Sequence, residues 1–430
     1  MPLRSGDAIA LGGRPQGTRR RDAGDHGCIV GVTAIQRPGG PSVLSAHRRM
    51  SDPPSASPFR LLRRTLLAWF QKNKRSLPFR ESSDAWSVWV SEVMLQQTRV
   101  EAMLPRYRAF LAGFPDPGSL AAASADEVLA AWAGLGYYGR ARALHRAARR
   151  LAAEGRGVPQ NAASLRRLPG IGEYTAAAIA SISFKEPVAA VDGNVRRVLS
   201  RLFAVGGVRG RAPFEGRIRE LADRLMEADD AREPGDWNQA LMELGATVCT
   251  ATGPRCDRCP VREFCWARLG GKPEEFPERP PPRPTDSVRL AMAVVRDPEG
   301  RILVFRRRES PMRGLYELPC GECRSGESAE DALVRETAAN YGIRLRPARE
   351  FPGFWHTVMQ RRIAVVPFEA NLVEPAPAGA VSGARFVRPK DLDRIPSGSM
   401  LRKALARVGS TRQGSEVRPD AAGSLPGSLD

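Results

Sequence analysis

Between residues 270 and 285 the chain carries six prolines, at 273, 277, 280, 281, 282 and 284, behind a Gly-Gly pair. A segment missing that many backbone N–H donors neither continues a helix nor enters the middle of a sheet. It therefore divides the chain into two pieces that each need their own core, and 270–285 is predicted to be a stiff, polyproline-prone linker. The hydrophobic pattern changes across it. Before it, Ala/Leu-rich helical periods alternate with short Gly/Pro turns, and no strand pattern occurs. After it, 288–295, 302–305 and 362–368 read as strands. The expectation is an all-α domain over 58–269 and an α/β domain over 286–406. Residues 1–57, rich in Arg, Gly, Pro and Ser, are expected to be disordered, as is the polar tail 407–430. Met50 is a candidate start. Residues 1–50 lack a secretory apolar core and leave an organelle address open, although Asp7, Asp22 and Asp25 weaken it.

Net charge is +19, which favours a polyanionic partner through counterion release. Only 6 of the 66 basic residues are lysine, so part of that signal is compositional and it carries little weight alone. No apolar run reaches the length of about 18 residues needed to span a membrane. Of seven cysteines, four crowd together as Cys249-x6-Cys256-x2-Cys259-x5-Cys265. That pattern reads as a metal or cluster site in a reducing compartment, and four thiolates alone do not choose between zinc and iron–sulfur. Cys320 and Cys323 form an isolated Cys-x2-Cys with no second pair, and read as incidental.

The stretch from 165 to 197 carries the chemistry. A helix, the turn Leu168-Pro169-Gly170-Ile171-Gly172 and a second helix are predicted, with Gly170 and Gly172 supplying positive φ and close approach. A glycine turn feeding a helix N-terminus suits a phosphate, though an ordinary helical hairpin reads the same way. Small residues from Thr175 to Ala180 allow close helix packing. Asp192, between an apolar run and the turn pair Gly193-Asn194, reads both as a helix N-cap and as a carboxylate able to face a cation. The basic pair Arg196-Arg197 follows one turn on, so that the carboxylate could face a cation formed beside a DNA phosphate. Upstream, Phe59, Leu62, Leu66, Leu67, Trp69 and Phe70 form a core stripe, Asp84 an N-cap, and Trp86, Trp89, Val90, Val93 and Met94 a buried helix face. Glu92 lies off that face, beside Gln96, and by position alone is a solvated charge.

The hairpin with its aspartate resembles the helix-hairpin-helix DNA glycosylase superfamily. The run from Trp89 to Thr98 (WVSEVMLQQT), Gly134 to Arg140 (GLGYYGR), Asn238 to Gly245 (NQALMELG) and the cysteine spacing narrow this to the MutY type. The resemblance spans about 77–265. It implies that Glu92 is the catalytic acid toward adenine N7, that Asp192 stabilises the sugar cation, and that Asn194 orients Asp192 or the water. Tyr174 stands where lyase relatives place a Schiff-base lysine, which implies base removal without strand cutting. Gln97, Leu135 and Tyr137 match residues that fill or wedge the duplex, Thr98 is taken with them as a DNA-binding residue, and the bland alternative for Leu135 and Tyr137 is core packing. Phe79, Arg80 and Glu243 match the adenine pocket. Cys249, Cys256, Cys259 and Cys265 match a [4Fe-4S] loop, and Arg255, Arg258 and Arg262 would touch phosphate.

In the second domain, Gly321-x5-Glu327-x7-Arg335-Glu336 and Gly342-Ile343 follow a Nudix box. Ala339 and Asn340 replace two of the acidic groups that would hold Mg²⁺. The resemblance implies a MutT-like fold without hydrolase chemistry that reads 8-oxoguanine opposite the target adenine, with Phe354-Trp355-His356 as the inspecting loop and His356 its matching residue. The expected whole is a monomeric, cytoplasmic, nucleoid-associated adenine glycosylase. It would act on double-stranded DNA carrying adenine opposite 8-oxoguanine or guanine, with a [4Fe-4S] cluster and no membrane partner.

Overall fold

The computed structural model describes residues 57–228, 233–281, 286–308, 312–358, 360–373 and 383–410. The expected disordered ends at 1–56 and 411–430, the candidate start Met50 and linker residues 282–285 lie outside the described residues. The first module is helical throughout: α1 (Ser57–Asn73), α2 (Ala85–Leu95), α3 (Val100–Gly113), α4 (Pro117–Ala122), α5 (Ala125–Ala131), α6 (Gly139–Ala153), α7 (Ala162–Leu165), α8 (Glu173–Phe184), α9 (Gly193–Leu202), α10 (Ala212–Glu227), α11 (Pro234–Thr247) and α12 (Trp266–Leu269). Among the described residues no strand precedes β1, and no helix is long and apolar enough to cross a membrane.

Leu62, Leu66 and Phe70, four apart on α1, are buried as the helical period requires, while Leu67 and Trp69 are only half-buried. Asp84 caps α2 by accepting the Ser87 N–H. That helix is buried from Val88 to Met94 on every side, so it runs through the middle of the module and has no solvated face. The expectation that Glu92 stands off the buried stripe fails for this reason, because the stripe goes all the way round. Against α2 packs α8, whose small residues from Thr175 to Ser181 are all buried.

The second module follows as β1 (Asp286–Val295), β2 (Ile302–Arg306), β3 (Tyr316–Glu317), β4 (Cys320–Glu322), α13 (Ala329–Tyr341), β5 (Leu345–Glu350), β6 (Phe354–Val358), β7 (Arg361–Leu372), β8 (Ala384–Val387) and α14 (Ser399–Ser410). The larger sheet runs β4-β1-β7-β5 with β6 also on β7, and the smaller runs β3-β2-β8. β1 and β7 are parallel and the other pairs antiparallel. Along β1, Met292 and Val294 join the core under α14, while Ala291, Ala293 and Val295 join the core under α13. With a helix on each face, both sets must be apolar, hence the unbroken run. The final helix reaches Ser410, past the expected start of the tail at 407.

Candidate active site

Four sequence-predicted residues meet on three elements. Glu92 on α2 is 6% exposed. Across from it, the Tyr174 hydroxyl on the first turn of α8 donates to Glu92 Oε2 at 2.5 Å. Asp192 caps α9: its Oδ1 accepts the Val195 N–H at 2.7 Å, and its Oδ2 accepts from Asn194 Nδ2 at 2.9 Å. Burial lifts the Glu92 carboxyl to about 7; the Tyr174 hydrogen bond and the Arg80 charge pull it down, while the charge of Asp192 pushes it up. Tyr174 is raised well above its ordinary value by burial and by both carboxylates. Glu92 and Tyr174 both feel the charge of Asp192, which puts the three groups within electrostatic reach of one another.

Asp192 is also raised by burial, but its hydrogen bonds and the Arg197 charge work against that rise. The positive end of α9 favours the same ionised form. One site therefore holds a carboxyl near neutrality and a carboxylate with fixed donors. That is the separation of roles an acid and a cation stabiliser need.

The wall beside Glu92 is a second charged set. Glu243 on α11 is fully buried and pairs with Arg75 at 2.7 Å and Arg80 at 2.8 Å. Burial alone would raise Glu243, and the two guanidinium groups hold it below its usual value. Phe79 is partly buried on the short turn Pro78–Arg80 and meets Tyr107 edge-on at 6.0 Å. Arg75 had no signal in the sequence beyond its nearness to Leu77-Pro78-Phe79-Arg80.

Asn194 also accepts from Arg197, 2.8 Å away, and Arg197 donates to the carbonyls of Gly245 and Cys249, both at 2.8 Å. A Cβ on Gly245 would stand 2.6 Å from the Asn194 Cβ, so only glycine lets α11 come this close to α9. Arg197 is turned inward, and Arg196 pairs with Glu215 at 2.6 Å.

At the hairpin, Gly170 has φ 81° and a Cβ there would meet the Ala143 Cβ at 2.4 Å. Gly172 does not need positive φ; it is the N-cap of α8 with φ −88°. Gln97 and Tyr137 are exposed, with φ 57° and 46°, conformations rare for such residues and found where function holds them. Leu135 is 4% exposed and belongs to the core. That burial agrees with the core-packing alternative for Leu135. The residue joining these loops is Arg140, which sequence reading quoted without a role. It donates to the carbonyls of Val93, Met94, Gln96, Leu135 and Gly136 and to the Thr98 hydroxyl. All of these bonds come from the two terminal nitrogens of the planar guanidinium, whose fixed fork suits such convergence.

Cys249, Cys256, Cys259 and Cys265 line one small pocket. Arg201 Nη1 lies 3.3 Å from the Cys249 Sγ and donates at 2.6 Å to the Thr250 carbonyl. Among the described residues no three His, Cys, Asp or Glu side chains close on a single ion. Arg255, Arg258 and Arg262 are exposed around this loop.

In the second module the Nudix-like box is closed on itself. Arg335 holds Glu327 at 2.7 Å and also pairs with Glu336, which accepts from Asn340 at 2.6 Å. Phe354-Trp355-His356 is not a loop but strand β6. Phe354 enters the core under α14, and Trp355, next along and so on the opposite face, is stacked by Arg362 at 4.0 Å. His356 is half-buried and burial lowers it, aided by the charge of Lys403. It lies on the second module, apart from the Glu92–Asp192 group.

The chain matches the model of the HhH-GPD superfamily of base excision DNA repair proteins over residues 90–224, and the NUDIX domain model over 287–408. It is 38% identical over 330 residues to the adenine DNA glycosylase of Rattus norvegicus, covering 72% of this chain and 63% of that protein. The human adenine DNA glycosylase is 43% identical over 243 residues, 54% of this chain and 43% of the relative. That of Mycobacterium tuberculosis is 40% identical over 232 residues, 54% of this chain and 75% of the relative. The chain thus spans less than two thirds of the length of the mammalian relatives it matches.

Proposed function

Since the chain belongs to the adenine DNA glycosylase family, we propose that it binds duplex DNA, extrudes an adenine opposite 8-oxoguanine or guanine, and hydrolyses its N-glycosidic bond. The observation that carries this reading is the pairing of a Glu92 carboxyl near neutrality with the capped carboxylate of Asp192. The glycosidic bond of a stacked adenine is out of reach, so the base must leave the helix. Tyr174 occupies Glu92 Oε2, leaving the other oxygen to carry its proton to adenine N7. The bond between the sugar C1′ and adenine N9 then breaks with its electron pair going to the base, and a positive sugar remains. Asp192 has given up much of its hydration without a cation against it, so the developing charge is stabilised there more than the neutral substrate is. Water attacks C1′, and its proton returns to Glu92. Tyr174 has no amine with which to form a Schiff base, so the strand is left uncut.

Gln97 and Tyr137 would enter the duplex, with the Gly170 turn on the backbone. The four cysteines, which line one pocket, suit a [4Fe-4S] cluster, which would supply a structural tie when bound. The second module reads the paired base, since its Glu327 and Glu336 are committed to Arg335 and not to a metal. All groups the chemistry needs come from one chain, so a monomer suffices. The test is single-turnover release on duplexes carrying adenine opposite 8-oxoguanine, compared with an oxidised pyrimidine. Fast release of the pyrimidine, or a borohydride-trapped covalent adduct at comparable rate, overturns the reading.

A further inference from the structure

The loop that bears Tyr137 is held from the second module. Tyr138, the next residue, is 5% exposed, and its phenol donates to the Ser397 carbonyl at 2.9 Å, 259 positions away. The same phenol faces Gly134 of its own loop, Arg106 of α3 and Arg402 of α14. Around this bond the modules interlock. Leu315 of the second module is buried in the core of the first, with Met312 against it. Arg142 donates to the Arg313 carbonyl at 2.8 Å, and Asp126 pairs with Arg306. On its other side the loop is fastened by Arg140, whose backbone N–H bonds the Tyr137 carbonyl at 2.9 Å.

A phenol buried in a core needs a partner for its hydroxyl. Tyr138 meets Gly134 within its own loop and gives its proton to the other module, so undocking trades that buried bond for water and frees the loop on this side. Docking and loop conformation are therefore one equilibrium. Tyr137 has left-handed φ, which a free loop abandons, and it is exposed immediately beside that bond.

We propose that Tyr138 is a positioning residue, through whose bond to Ser397 the second module sets the loop that presents Tyr137 to the duplex. This rests on the reading of the second module as the reader of the paired base, and extends it. Recognition of the paired base reaches the excision site through this contact, without the second module touching the adenine.

The full-length protein tests it. The readout is the ratio of single-turnover adenine release opposite 8-oxoguanine to that opposite guanine, with hydrogen exchange of the 134–138 amides. Tyr138→Phe keeps the ring and is expected to lower the ratio roughly three- to tenfold, the worth of one buried hydrogen bond, and to speed exchange in 134–138. Asp126→Lys, at a half-buried position in the first turn of α5, is expected to lower the ratio, and adding Arg306→Glu to restore it. A merely structural tyrosine would slow both substrates alike. A wild-type ratio near one overturns the paired-base reading and this inference with it. A wild-type preference that survives in both Tyr138→Phe and Asp126→Lys overturns this inference alone.

Discussion

Glu92 is where the chemistry and the stability of the fold pull against each other. With its carboxyl at about 7 against an ordinary 4.5, the folded protein holds that proton more tightly than the unfolded chain. Its contribution to stability is therefore complete below about 4.5 and lost as pH rises through 7. Glu92→Gln is expected to stabilise the fold at pH 8 by on the order of 3 kcal/mol, raising the melting temperature there, and to change it little at pH 4.5. Thermal unfolding at the two values checks the sign. For the reaction, single-turnover release should fall as pH rises through about 7, as the acid loses its proton. Tyr174→Phe removes the hydrogen bond that lowers Glu92, so the alkaline limb of that profile should move to higher pH. A limb that stays in place or moves down separates Tyr174 from the acid. Glu92 was legible in the sequence only through its neighbours, because a glutamate on a helix is a surface charge until the helix proves to be buried all round.

At the scale of elements, the hairpin and the Arg140 junction hold the loops that would meet DNA. Gly170→Ala is expected to cost about 2–4 kcal/mol, since it adds both a strained φ and a methyl group driven into Ala143, with weaker duplex binding in proportion; denaturant unfolding reads the first and titration the second. Arg140→Lys should be nearly as harmful as Arg140→Ala, because one ammonium cannot serve five carbonyls and a hydroxyl. Helix periods, caps at Asp84 and Asp192, and the turn at Gly170 could be read directly, since each is a local rule. Leu135, Arg140 and Arg197 could not. Whether a leucine in a glycine-rich loop points out or in, and whether an arginine faces phosphate or a ring of carbonyls, depends on partners far away in the chain. The short strands β3, β4 and β8 and the largely exposed β5 escaped for a related reason, having too few residues or too little burial to show a period of two.

For the molecule as a whole, helices precede the proline-rich segment and strands follow it, as the change of pattern led one to expect; the interlocking of the two modules through Leu315 and Ser397 was not visible, since neither residue carries a local pattern. The four-cysteine cavity is tied through Cys249, Arg197 and Asn194 to Asp192. Removing the proposed cluster is therefore expected to bleach visible absorbance, lower the melting temperature by several degrees and cut adenine release in step; bleaching with release intact would separate cofactor from site. The central claim is that Glu92 and Asp192 act on a single extruded adenine nucleotide. It is tested most directly by single-turnover release from a duplex with adenine opposite 8-oxoguanine, using Glu92→Gln and Asp192→Asn, with affinity for the same duplex measured alongside. The expected result is a loss of release of about 10²- to 10⁴-fold in each variant, with binding retained within a few-fold. Wild-type release by either variant would contradict it.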